Sequence, residues 1–329
     1  MKTFSKITGF ATLSLLAAMS LSSCELEYYK EELYRKEIFL VSGENNIAGQ
    51  EFEYGGDEGI LAVYASGTTA VDEDVTVDLA LDYEAIGEYN QRNFDTQFDE
   101  YAMELPAENY SIDPMSVQIK AGECEAFCPI HIDIDNLLPD ETYFIPLRIA
   151  SVSNYMASQT KNYILFEIFR KNDYATTKED TYYTMTGTSQ DGWVIDNIFG
   201  SDVKRQAINS SKQVLPLDKN SIRMLPAAKV LDDKNEIRTA SIRVTVHPDT
   251  WVNVPVYSEG VLTGEVEVMQ KVTLAPYLDS IDALSVIPSP DEVCSYDPET
   301  ETFYLYYCYK LSTETVWHEV RETMTRAEY

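Results

Sequence analysis

From Val75 to Leu81 the chain alternates: Val75, Val77, Leu79 and Leu81 against Thr76, Asp78 and Ala80. A period of two is that of a strand with one buried face. It returns at Ala126, Cys128, Ile130, Ile132 and Ile134, with Glu125, His131, Asp133 and Asp135 opposite. That pattern predicts a buried Cys128 and a solvated His131. Runs at 38–41, 60–66, 117–119 and 163–169 read as further strands. Tyr143, Ile145, Leu147 and Ile149 alternate around Pro146, and a proline without an N–H to donate predicts an edge strand. One stretch breaks the period. Asp82 stands before Glu84, Ile86 and Asn90 as a helix cap, with Gly87 a weak point. Phe94, Phe98 and Tyr101 keep a helical spacing, so the insert is expected to stay helical to about Met103.

Asn172 to Lys178 is polar and without period, which reads as a linker. Beyond it, 221–225, 240–246, 252–257 and 265–269 read as strands, and the stretch Asp232 to Glu236 as a turn. Asp297-Pro298 starts a turn beside the aromatic run Phe303 to Tyr307, which reads as a strand buried on both faces. Short strands at this spacing predict an all-β protein. Residues 35–170 form an immunoglobulin-like sandwich with a short helical insert. Residues 171–178 link it to a second antiparallel β-sandwich or barrel over 179–329.

Charge narrows the partners. Fifty-five acids against 25 Lys and Arg leave −30 on 329 residues, a surface that repels phosphate backbones and anionic lipid. Nucleic acid is excluded as a partner. No D-x-[DN]-x-[DN]-G loop is present, so Asp72-Glu73-Asp74 and Asp133/Asp135 read as solvated. His131, His247 and His318 are too scattered for zinc. No metal or cofactor is expected. No G-x-S-x-G, H-E-x-x-H or phosphate-cradling glycine loop occurs. With so many acids, any two could be named a glycosidase pair, and no catalytic residue is singled out. Cys124 and Cys128 on one strand stand about 13 Å apart, too far for a disulfide. Cys294 and Cys308 flank a hairpin and could be neighbours; all four read first as small hydrophobes.

The first residues carry an address. Lys2 and Lys6 precede an apolar run from Ile7 to Leu21, and Leu21-Ser22-Ser23-Cys24 closes it in the form of a bacterial lipobox. The run is shorter than the roughly 20 residues that span a bilayer. It reads as a signal peptide over 1–23, cleaved to leave Cys24 as a lipidated first residue. Residues 24–34 then form a tether, and the lipid alone joins the protein to an outer membrane, with its body on the cell surface.

Leu81-Asp82-Tyr83 with Tyr89-Asn90, then Leu105-Pro106 with Tyr110, Gly122-Glu123, and Tyr143-Phe144-Ile145-Pro146-Leu147 form an ordered series. It resembles the N-terminal domain of a large group of Bacteroidetes surface lipoproteins, with a longer insert after the helix than that group usually has. The close, Tyr296-Asp297-Pro298 with Phe303, Leu305, Tyr307 and then Glu319 to Arg326, resembles the C-terminal domain that often follows it. The resemblance implies non-catalytic glycan holding in polysaccharide utilisation, beside an outer-membrane importer and its partner lipoprotein. A structural or adhesive surface protein and a glycoside hydrolase are the alternatives. A sugar's C–H face stacks on aromatic rings, which makes Trp193, Trp251 and Trp317 the candidate ligand-binding residues. Trp193 and Trp251 stand by turns, and Trp317 on a polar strand face.

Overall fold

The computed structural model describes residues 35–193, 205–258, 261–290 and 292–327; the lipobox and Cys24 lie outside them. In the first half, β1 (Glu37–Leu40), β2 (Ile47–Glu53), β3 (Asp57–Ala65) and β4 (Val75–Leu81) precede helix α1 (Tyr83–Phe94). The short strands β5 (Met103–Glu104), β6 (Tyr110–Ser111) and β7 (Ser116–Ile119) follow. Four more, β8 (Glu125–Ile132), β9 (Tyr143–Val152), β10 (Met156–Ala157) and β11 (Tyr163–Lys171), complete two sheets. Their orders are β10-β1-β3-β8-β6 and β2-β11-β9-β4-β7, with β5 added to β9. Ile38, Leu61, Val77, Ile130, Leu147 and Phe166 meet in one core between them. This is the immunoglobulin-like sandwich, its helical insert lying between β4 and β5. Cys128 is buried and His131 exposed, as the alternation requires.

Two local expectations are corrected. Pro146 lies in β9, which is central, paired with β11 on one side and β4 on the other. The proline is tolerated because β4 ends at Leu81, opposite Leu147. The Pro146 carbonyl accepts from Asp82 N–H just past that end, so its nitrogen faces a place where the ladder has stopped. The helix, too, ends early. Asp95 turns to φ 48° after Phe94, outside the right-handed region a helix needs, and only one 3-10 turn follows at Phe98–Glu100.

The second half holds β12 (Thr181–Trp193), β13 (Gln206–Asp218) and β14 (Ser221–Met224), then helix α2 (Lys234–Thr239). A long pair, β15 (Ile242–Ser258) and β16 (Val261–Pro276), precedes β17 (Ser285–Pro288) and β18 (Ser295–Asp297). Strands β19 (Thr302–Lys310) and β20 (Trp317–Arg326) complete the set. β20 pairs with both β19 and β12, so the sheet closes into an antiparallel barrel. β17 and β18 share one edge of β19. Closure brings backbones close at Gly187, where a Cβ would sit 2.0 Å from the Arg321 carbonyl oxygen; only glycine fits there. Inside, Tyr183, Met185, Val244, Phe303 and Leu305 are fully buried. All four cysteines described are free thiols. Among the described residues no helix is long and apolar enough to cross a membrane.

Two polar stretches behave differently from expectation. Asp232 to Glu236 is not a plain turn: the Asp233 carboxylate accepts from the N–H groups of Asn235 and Glu236 and starts α2. Asp and Asn favour both turns and helix caps, for the same hydrogen-bonding reason. The expected linker is wedged into the barrel. Asn172 donates from its side chain to the carbonyls of Asp218 and Ser221, at 2.7 and 2.9 Å. The buried Tyr174 ring packs on Tyr296 at 5.1 Å and Phe303 at 5.9 Å.

Candidate functional site

The two halves meet over a cleft built from the helical insert, the β8–β9 loop and α2. Asn90 of α1 reaches across to residue 102. It donates to the Ala102 carbonyl at 2.9 Å and accepts from the Ala102 N–H at 2.8 Å. That pair of hydrogen bonds folds the chain after α1 back along the helix. An aromatic series results: Phe144, Tyr89, Phe94, Tyr101 and Phe98, with successive centroids 5.1, 6.0, 6.4 and 5.2 Å apart. It begins in the core at Phe144, which is fully buried, and ends in water at Phe98, which is 70% exposed. Phe98 and Tyr101 form one wall of a cleft of about 370 Å³, and Asp232, Asn235 and Arg238 stand on the other. A second hollow of about 450 Å³ continues from it, sharing Glu100, Glu141, Asp232 and Lys234.

The cleft is held by charge. Asp140 accepts from Arg223 at 2.9 Å and from Arg238 at 3.0 Å, across the junction. Glu141 pairs with Arg238 and with Lys234. Lys234 also donates to the Asp99 carbonyl at 2.6 Å and lies 3.4 Å from Glu100. Burial alone would push the Asp140 carboxyl up; the bond from Arg238 and the charge of Arg223 outweigh it and hold the group below its ordinary range. Arg170, buried behind this loop, donates to the carbonyls of Leu138, Pro139 and Glu141 and stacks over the Tyr143 ring at 5.4 Å. Glu167, at the wall of the second hollow, has its carboxyl pushed up by burial. An exposed ring, Phe98, and a half-buried one, Tyr101, therefore stand beside fixed acceptors and donors. Such a site can hold a ligand with both an apolar face and many hydroxyls.

The tryptophans lie elsewhere. Trp193 and Trp317 are opposite one another in the β12–β20 ladder, at one end of the barrel. The Lys310 ammonium already covers a face of Trp317 at 5.4 Å. Beside it, Tyr309 stacks on His318 at 4.9 Å. Trp251 lies within β15, just past residues 248–250, which bulge out of register. It extends beyond the other end of the barrel. So two candidates come together and the third stands apart. The spacing of the cleft's Phe98 and Tyr101 is that of one side of a continuing helix, which hides them among core-facing residues in the sequence. The usable signal was the long insert itself, with three aromatic residues in an acidic stretch.

A family model of an N-terminal domain matches residues 34–156, and one of a C-terminal domain matches residues 162–325. The chain thus carries both domains, in this order. The C-terminal match begins ahead of β11, although β11 pairs within the first-half sheet. A Bacteroides ovatus protein of unknown function is similar over 88% of this chain and 94% of its own, at 16% identity and TM-score 0.57. An auxiliary nutrient binding protein of Bacteroides thetaiotaomicron is similar over 86% and 92%, at 19% identity and TM-score 0.58. A Bacteroides ovatus multidomain protein is similar over 88% and 93%, at 16% identity and TM-score 0.53. These likenesses establish the fold. No curated protein matches the sequence.

Proposed function

We propose that this chain is a non-catalytic glycan-binding protein of the cell envelope, and that the junction cleft is its site. The observation that carries this is the placing of the exposed Phe98 ring and the half-buried Tyr101 ring opposite Asp232, Asn235 and Arg238 in one cleft. The similar Bacteroides thetaiotaomicron protein is an auxiliary nutrient binding protein, which agrees with it. The ligand is a neutral oligo- or polysaccharide. A chain of net charge −30 offers no ionic attraction to a neutral glycan, so affinity rests on stacking and hydrogen bonds and changes little with salt. Titration of a neutral glycan panel is the test. Phe98→Ala or Tyr101→Ala should weaken binding about 30-fold, the effect of losing an aromatic anchor. Trp251→Ala and Trp317→Ala should change it little. Binding of no glycan, or binding indifferent to both cleft variants, would sink the proposal.

A hydrolase reading draws on Glu167, whose raised carboxyl is the kind of group a general acid requires. Product release from the same panel, abolished by Glu167→Gln, would replace the binding reading with this one. A lipid anchor at Cys24 belongs to the proposal, as do an outer-membrane importer and its partner lipoprotein as neighbours. Cys24→Ala should abolish lipid labelling and release the protein from membranes; unchanged labelling would rule the anchor out.

A further inference from the structure

Beyond the barrel the β15–β16 pair runs on alone. β14 reaches β15 only from Ile242 to Thr245, and β18 reaches β16 only at Gln270 and Lys271. Beyond Trp251/Gln270 the ribbon therefore has two paired strands among the described residues. Residues directly opposed across an antiparallel pair share a face. Trp251 opposes Gln270, Asn253 opposes Val268, and Pro255 opposes Val266. Trp251, Val266 and Val268 are 53, 58 and 59% exposed, and Leu262, farther out on the same alternation, is 57% exposed. Scattered exposed valines mean nothing, but Trp251, Pro255, Val266, Val268 and Leu262 grouped on one face, with only Asn253 and Gln270 polar among them, mark an interaction surface.

Three features say what covers it. Valine and leucine side chains offer nothing to sugar hydroxyls, so the face suits protein rather than glycan. Residues 248–270 contain four acids, Asp249, Glu259, Glu265 and Glu267, and no Lys, Arg or His. That disfavours anionic lipid and a second copy of a chain carrying −30. The strand edges are blunted as well: Pro255 has no N–H, and register shifts fall between His247 and Trp251 and between Pro255 and Tyr257. Strand addition is thus disfavoured, and the face remains. We infer that this face of the ribbon docks a second, different protein, whose contact patch is apolar at its centre and basic at its rim.

The test uses the full-length chain in its native host, with a photoreactive phenylalanine analogue in place of Val266. One discrete heterologous adduct is expected, lost when Trp251→Asp is added. The protein in that adduct is then identified by mass spectrometry, purified and titrated directly. Its affinity should fall at least about 30-fold with Trp251→Ala, fall with Val268→Thr, and weaken with added salt. Both side chains are exposed, so thermal unfolding should stay unchanged, and glycan binding at the cleft should be retained. No adduct, an adduct with a second copy or with lipid, or an affinity indifferent to both variants would overturn the inference. Loss of glycan binding on Trp251→Ala would assign the ribbon to sugar instead.

Discussion

Inside the barrel the Lys212 ammonium is screened from water and meets both oxygens of Glu322, at 2.9 and 2.8 Å. Tyr307 donates its hydroxyl to Glu322 at 2.9 Å and accepts from the Ala227 N–H at 3.1 Å. Burial pulls the Lys212 pKa down, and Glu322 pushes it back. Nothing in the run Ser210-Ser211-Lys212-Gln213 marks this lysine as internal; only closure of the barrel encloses it. Lys212→Met strands a buried carboxylate and should cost roughly 3–5 kcal/mol in urea denaturation. Lys212→Met/Glu322→Gln should recover most of that, because the glutamine oxygen still accepts from Tyr307. A double variant as unstable as the single would show that stranded charge is not the cause.

At the scale of elements, the strands with one wet face were legible because their period is set by burial on a single side. β4 and β8 needed nothing else. The errors fell where local signals are ambiguous. Phe94, Phe98 and Tyr101 have a helical spacing, but Asp95 leaves the helix and Asn90 folds the chain back. Pro146 argued for an edge, yet β4 stops beside it. Asp233 could start a turn or cap a helix, and the N–H groups of Asn235 and Glu236 decided for the helix.

For the whole molecule, the consequence is a junction held by contacts made on both sides of the polar segment Asn172 to Lys178. Tyr54 donates its hydroxyl to the Pro216 carbonyl at 3.1 Å, and Thr176 donates to Glu51 at 2.6 Å. Asp140, between Arg223 and Arg238, is the centre of this clamp. Its carboxyl is harder to protonate folded than unfolded, so the clamp contributes fully above about pH 4 and is lost as acid carries the pH down through the lowered value. Asp140→Asn should cost about 2 kcal/mol near pH 6, and the gap to the native chain should shrink as pH falls toward 3. Calorimetry at each pH measures it; parallel profiles for the two proteins would show that the clamp does not depend on this charge.

Alternation and turn chemistry are local properties, so the sequence alone determined the all-β class, the order of the two halves and the buried face of β8. The cleft, the enclosed Lys212 and the projecting ribbon depend on which distant strands pair. Phe98 shares a cleft with Asp232, and Lys212 meets Glu322, only because more than a hundred residues of chain fold between them. Trp251 is exposed because β14 ends before reaching it. Pairing over such separations is decided by burial of the whole core, which no short window of sequence contains.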